Sequence, residues 1–204
     1  MIIAFTKDWD DVPTCTTHIL REMAREQLVL WVSSIGTRRP RVGAARDLRR
    51  ILRRLKKLFR GAEWKENNLW VLSPLLIPGA RTALAKWINR HLFTWQVRRG
   101  QRGWACIAGA SCNQRQTGRS ALHAGSPFAT SPSTLVPCHF GSPEYWCFVP
   151  NAVDLLPDDA FVVYYCVDDW SEFHNLDGGW LAREEKNLLQ RADVVFAASK
   201  VLVE

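Results

Sequence analysis

The chain has 204 residues, 47% hydrophobic and 23% charged, with a formal net charge of +7 at pH 7, enough for one good-sized domain and too few for two. No apolar run is long enough to cross a bilayer, and the opening five residues are too short and too soon followed by acids to serve as a secretory signal. The charge is uneven: residues 37–60 hold eleven Lys or Arg against the single acid Asp47, residues 98–143 hold five Arg and no acid, and the remainder is net acidic, which speaks against a uniformly basic nucleic-acid coat.

In chain order, Ile2–Phe5 reads as a first strand. Thr14 can N-cap a helix that carries Ile19, Leu20, Met23 and Ala24 on one face. Residues 28–32 form a continuous apolar run and predict a buried strand, ending at Ser33-Ser34-Ile35-Gly36. Over residues 47–60, Leu48, Ile51, Leu52, Leu55, Leu58 and Phe59 recur at helical spacing, and the opposite face is basic: Arg46, Arg49, Arg50, Arg53, Arg54, Lys56, Lys57 and Arg60. Residues 69–72 predict another strand, stopped by Ser73-Pro74. The helix expected from about Arg81 would turn Leu84, Trp87, Ile88, Leu92 and Trp95 inward. Strands follow at 146–149 and 161–167, then a helix at 181–191 and a last strand at 194–197. Continuous apolar strands alternating with helices imply a parallel sheet covered on both faces, a Rossmann-like α/β fold.

Residues 98–143 break the pattern. Between 100 and 142 there is no Asp, Glu or Lys and no hydrophobic period, and a structureless stretch of that length is foreign to a compact domain. A disordered insertion, a functional lid and the product of a shifted reading frame all remain open for it; the Arg-rich, acid-free composition favours the last. The expected domain is therefore residues 1–97 and 144–204. The closing Ser199-Lys200-Val201-Leu202-Val203-Glu204 reads as a helix only beginning, which is the pattern of a truncated chain.

Six cysteines occur without a CxxC pair and without His at metal-ligand spacing, so reduced thiols in a cytoplasmic protein are expected and no metal site is. Ligands of open α/β sheets bind beyond the C-terminal ends of the strands. Those ends here carry Asp10 and Asp11 with Thr14 and His18, then Ser34, then Asp168-Asp169-Trp170, and finally Ser199. Carboxylates take hydroxyl protons and indoles cover the apolar side of a pyranose, so the mixture suits a sugar. Either Asp168 or Asp169 can serve as general base on an acceptor hydroxyl; an Asx turn or helix N-cap explains the same pair without chemistry. The absence of G-x-G-x-x-G after the first strand argues against a dinucleotide dehydrogenase. The basic segment 47–60 is either a solvated helix face or a cationic surface for anionic lipid headgroups. Nucleic acid is not expected, because further basic or stacking elements are lacking.

Five blocks carry a resemblance: Asp8-Trp9-Asp10-Asp11-Val12-Pro13, Leu30-Trp31-Val32-Ser33-Ser34-Ile35-Gly36, Asn68-Leu69-Trp70-Val71-Leu72-Ser73-Pro74, Val163-Tyr164-Tyr165-Cys166-Val167-Asp168-Asp169-Trp170, and Ala192-Asp193-Val194-Val195-Phe196-Ala197-Ala198-Ser199. Together they resemble the N-terminal half of bacterial GT-B-fold glycosyltransferases that build cell-surface polysaccharides, of the teichuronic-acid and exopolysaccharide type. The resemblance implies an acceptor domain facing a second Rossmann-like domain, absent here, that would hold the nucleotide-sugar donor. It implies a glycan or lipid-linked acceptor at the inner membrane face, no cofactor bound by this chain, and no activity of this half alone. It also makes Asp168, Asp169, Asp10 and Asp11 cleft-lining and sets Ser199 near the inter-domain side. The alternative is a non-catalytic α/β module that docks on anionic membrane through residues 47–60.

Overall fold

A computed structural model describes residues 1–33, 61–77, 80–100, 142–170 and 177–202. The expected positions Ser34, Arg46, Arg49, Arg50, Arg53, Arg54, Lys56, Lys57 and Arg60 lie outside the described residues, as does 101–141 of the irregular segment.

The elements in order are β1 (Ile2–Phe5), α1 (Cys15–Glu26), β2 (Val29–Val32), β3 (Glu63–Glu66), β4 (Leu69–Leu72), α2 (83–100), β5 (Glu144–Cys147), a 3-10 helix (Pro150–Leu155), β6 (Phe161–Cys166), α3 (Gly178–Arg191), β7 (Val194–Ala197) and a single 3-10 turn (Lys200–Leu202). The strands form one seven-stranded sheet in the order β3-β4-β2-β1-β5-β6-β7. Every pairing is parallel except β3 with β4. Numbered alone, the six parallel strands run 3-2-1-4-5-6, the order of Rossmann-like sheets, with the reversal of direction falling between β1 and β5.

The fully parallel sheet expected from the sequence needs one correction. Residues 63–66 form an antiparallel edge strand joined to β4 through Asn67-Asn68, with Asn67 at φ 45°. A two-residue hairpin turn requires positive φ, and Asn tolerates it better than most residues. The strand is short and carries Glu63, Lys65 and Glu66, so its charges discourage a further strand from pairing there.

Alternate side chains divide between the two faces, as the period of a strand requires. On one face Ile3, Phe5, Leu30, Val32, Leu72, Tyr145, Cys147, Val162, Tyr164 and Cys166 pack with Phe93 and Val97 of α2, Ala152 and Leu155 of the 3-10 helix, and Leu188 of α3. On the other, Ile2, Ala4, Val29, Trp31, Leu69 and Val71 pack under Leu20 and Ala24 of α1. Thr14 N-caps α1, and its backbone N–H donates to Thr17 Oγ1 at 3.2 Å. Arg191, at the end of α3, donates to the carbonyls of Pro157, Asp158 and Ala160 at 3.0, 2.9 and 2.7 Å and so ties that helix to the turn before β6.

Helix α2 is rotated from the expected orientation. Leu84, Trp87 and Trp95 are exposed, whereas Asn89, Phe93, Gln96 and Val97 are buried. Polar chemistry decides this. Asn89 accepts from Ile77 N at 2.7 Å and donates to Ile77 O at 3.0 Å, and Gln96 accepts from Leu75 N at 3.0 Å. The irregular backbone after β4 has no strand partner for its N–H and C=O groups at Leu75 and Ile77, and two amides on one helix face supply the hydrogen bonds. The helix also runs through residues 98–100, into the segment expected to be irregular. Among the described residues no helix is long and apolar enough to cross a membrane.

Candidate functional site

The C-terminal ends of the strands form a stepped rim. Phe5, Val32, Leu72 and Cys147 lie level with one another, and Tyr164 of β6 is level with Cys147. Strand β6 continues to Cys166, which pairs with Ala197 of β7. At the rise of a strand, β6 and β7 therefore stand about 7 Å above the β1–β5 floor. The floor is closed by the next turn of backbone: Thr6 N donates to Val32 O at 3.1 Å, Ser33 N to Leu72 O at 2.9 Å, and Phe148 N to Phe5 O at 2.9 Å. Strand reversal opens a crevice at this point.

The sequence-derived candidates fall on that rim but not at one spot. Asp10, Asp11 and Thr14 are exposed on the turn from β1 into α1, and His18 is exposed in the first turn of that helix. That turn is held from inside: Trp31 Nε1 donates to Lys7 O at 2.9 Å, Lys7 Nζ donates to Val12 O, and Trp9 meets Trp31 edge-on with ring centroids 5.1 Å apart. The Arg21 guanidinium lies 5.4 Å from the Trp9 ring centroid and pairs with Glu66. Asp168 and Asp169 are exposed just past β6, on the raised step, and Trp170 is half-buried against the core. Ser199 is exposed beyond β7. With about 5 Å between strands, Asp168 lies two strand positions from the end of β1 and Ser199 three. The turn acids and the step acids thus flank the crevice from opposite sides.

A second concentration of polar groups lies beside the crevice and was not expected from the sequence. It is a half-open recess of about 30 Å³, lined by Leu76, Ile77, Ala80, Lys86, Asn89, Asn151, Asp154, Leu155 and Trp180. Three segments begin around it: the first turn of α2, the 3-10 helix after β5, and the first turn of α3. The N-cap Asp177 orients α3 by accepting from Trp180 N at 3.3 Å, and Arg81 pairs with Asp177 across the gap to α2. Lys86 Nζ lies 2.9 Å from Asp154 Oδ2 and 3.4 Å from Glu184 Oε1. Burial works to lower the pKa of this lysine, but hydrogen bonding and charge from Asp154, followed by Glu184, outweigh it and hold the ammonium above the ordinary lysine value.

Further along the same face, Tyr164 donates to Glu185, and Cys166 Sγ lies 3.7 Å from Glu185 Oε1. Burial, reinforced by Glu185, raises the Tyr164 phenol, and burial is the leading cause that raises the Cys166 thiol. Both groups thus share one carboxylate as partner. Among the described residues no three His, Cys, Asp or Glu side chains converge as a metal site. Compared with models of known protein families, the chain matches none, and no curated protein matches it significantly.

Proposed function

We propose that the chain is the acceptor-binding α/β domain of a glycosyltransferase that transfers a sugar from a nucleotide-sugar donor to a cell-surface glycan or lipid-linked acceptor. One observation carries the reading. The resembling blocks are scattered from residue 8 to residue 199, yet in the fold their polar ends, Asp10-Asp11, Ser33, Asp168-Asp169-Trp170 and Ser199, come to a single rim around the strand-reversal crevice. Carboxylates on both sides of a crevice suit an acceptor with several hydroxyls, and Asp168 or Asp169 on the raised step is the group to take the proton of the attacking hydroxyl. The donor's nucleotide belongs, in this reading, to a second α/β domain, so the 204-residue chain by itself binds acceptor without turning over donor.

Titration of the chain with cell-surface oligosaccharides and, separately, with nucleotide sugars tests this. Saturable glycan binding that weakens in an Asp168→Asn, Asp169→Asn double variant is the expected result. Binding of nucleotide sugars without any binding of glycans would reverse the assignment of this half.

The basic composition of residues 37–60 supports a peripheral cytoplasmic location, with Arg49, Arg53 and Lys57 among the residues meeting anionic headgroups. Each Lys or Arg near such a surface contributes about 1 kcal/mol, and the attraction is screened by salt. Co-sedimentation with vesicles containing phosphatidylglycerol, lost at high salt and lost when Arg49, Arg53 and Arg54 are changed to Glu, is expected. Retention by purely zwitterionic vesicles would sink the electrostatic account.

A further inference from the structure

The three α-helices turn different residues to solvent. On α1 the exposed positions are Cys15, His18, Glu22, Arg25 and Glu26. On α3 they include Arg183, Lys186, Asn187 and Gln190, with Leu189 the one large apolar residue. Such polar surfaces are expected of helices packed on one side. On α2, apart from Ala83 at its start, the exposed positions are Leu84, Trp87, His91, Trp95, Arg98 and Arg99. Leu84 is 67%, Trp87 58% and Trp95 49% exposed. These positions recur at helical spacing and form one stripe, opposite the buried Asn89, Phe93, Gln96 and Val97. At 1.5 Å per residue the stripe from Leu84 to Arg99 is about 22 Å long.

Single exposed apolar residues are ordinary, but an aligned set rimmed by polar groups marks a contact surface. Charge says what kind. Residues 83–100 hold Lys86, Arg90, Arg98 and Arg99 and no acid. Lys86 is paired with Asp154 and Glu184, and Arg90 with Asp158. Among the described residues no carboxylate pairs with Arg98 or Arg99. The Arg99 guanidinium lies 5.4 Å from the Trp95 ring centroid, and Trp87 stacks on His91 with centroids 4.1 Å apart. The stripe thus passes from aliphatic through aromatic to cationic and meets no negative charge. Its complement is a surface with apolar depth under a layer of anions. Indoles suit such a boundary, since each pairs an apolar ring with one N–H and collects at the level of lipid headgroups. A second copy of this chain fits less well, because the same face brings the same arginines and no acid to meet them.

We propose that the outer face of α2 is a membrane-docking surface that lies in the headgroup layer of an anionic bilayer. Trp87 and Trp95 are the anchors, Leu84 reaches toward the acyl chains, and Arg98 and Arg99 meet lipid phosphates. The helix lies in the membrane plane, as interfacial amphipathic helices do. This contact stands on the α2 face alone. It is separate from the electrostatic contact of residues 37–60, which needs no indole in the bilayer. The acceptor-domain reading adds only that the crevice, at the same rim as the first turn of α2, opens beside the lipid surface.

The test is flotation of the full 204-residue chain with vesicles of phosphatidylcholine and phosphatidylglycerol, combined with quenching of tryptophan fluorescence by phosphatidylcholine brominated on its acyl chains. The parent is expected to float and to be quenched. The double variant Trp87→Ser, Trp95→Ser is expected to bind more weakly by about tenfold for each indole, the scale of burying part of an aromatic ring. Its quenching is lost even at lipid concentrations that bind it. Arg98→Gln, Arg99→Gln is expected to weaken binding by about fivefold for each arginine. All four side chains are exposed, so both variants keep the parent's circular dichroism, and misfolding of one leaves the other to decide. Parent-like binding and quenching in the indole variant overturns the proposal. So does binding of the parent without quenching, lost at high salt and in Arg49→Glu, Arg53→Glu, Arg54→Glu; that result leaves the contact of residues 37–60 standing. No binding to vesicles overturns both membrane contacts and leaves the acceptor reading to its own titration. A lipid-free dimer in sedimentation velocity, dissociated by the indole variant, overturns the proposal in favour of a second copy.

Discussion

The two faces of the sheet bury similar apolar side chains but are closed in different ways. Under α1 the contact is apolar, Leu20 and Ala24 against Ile2, Ala4 and Trp31, and it covers the β1–β2–β4 half. On the β5–β7 half of that same face Trp146, Phe148, Tyr165 and Phe196 stack along the strands with centroids 5.5–6.3 Å apart, and Phe196 is still 46% exposed. On the α2/α3 face polar side chains add to the apolar packing: Asn89 and Gln96 hold the backbone of the loop after β4, Arg191 holds the turn before β6, and the Lys86–Asp154–Glu184 ion group joins three helical segments. Apolar packing tolerates repacking, whereas directed hydrogen bonds specify one arrangement and are costly when half-broken. The recess beside Lys86 lies on the specified face.

Thiol chemistry separates the faces most sharply. Cys147 is fully buried on the α2/α3 face, and burial, only partly offset by the charge of Arg191, pushes its thiol far up. Cys15 is exposed at the start of α1. Thiolate is the reactive form and the reagent must reach it, so iodoacetamide under mildly alkaline conditions is expected to label the exposed Cys15 and spare the buried Cys147 until denaturant is added. Peptide mass mapping reads this directly, and labelling of Cys147 in the native protein would show that the face opens. The sign for stability follows from the raised values. The protonated forms of Cys147, Cys166 and Tyr164 are favoured by folding, so their contribution is complete below the unfolded-state pKa of each group and declines as pH rises above it.

The polar closure provides the next largest effect. Lys86→Met leaves Glu184 buried beside Asp154 without a cation, and a loss of about 3 kcal/mol is expected, at the low end for a broken buried pair because Lys86 and Asp154 each keep 29% of their side-chain exposure. The double variant Lys86→Met, Glu184→Leu should recover much of it. Urea denaturation measures both; a single variant as stable as the parent would mean that the ion group is fully hydrated. Since the pKa of Lys86 is raised, its contribution is present below the ordinary lysine value of about 10.4 and is lost only as pH climbs through the raised value. The smallest effect belongs to the aromatic strip. Phe196→Ser is expected to cost about 1 kcal/mol, the worth of partial burial and one stacked pair. A loss as large as that of Lys86→Met would show the strip to be covered in solution.

How far the sequence reached can be judged element by element. The strands at residues 2–5, 29–32, 69–72 and 161–166 were legible because a strand buried on both faces must be apolar throughout, and few other structures need that. Strand β3 was missed because Glu63-Trp64-Lys65-Glu66 has the composition of an exposed edge; the Asn67-Asn68 turn beside β4 was the usable sign. Hydrophobic spacing alone misoriented α2, since Asn89 and Gln96 are counted as polar and yet are buried by bonds to a loop that only the tertiary fold brings near.

From the residues alone came the fold class and the set of polar strand ends, because strand burial and the C-terminal position of ligands in α/β sheets are local consequences of pattern and chain direction. The rest was decided only in three dimensions. Strand order sets which ends are neighbours, register raises β6 and β7 above the floor, and the recess takes its polar groups from Lys86, Asn151, Asp154 and Trp180, with Lys86 paired to Glu184 98 positions away in the chain. Nothing local in any of those segments marks them as partners; their chemistry exists only because parallel crossovers start three helical segments at the same edge of one sheet.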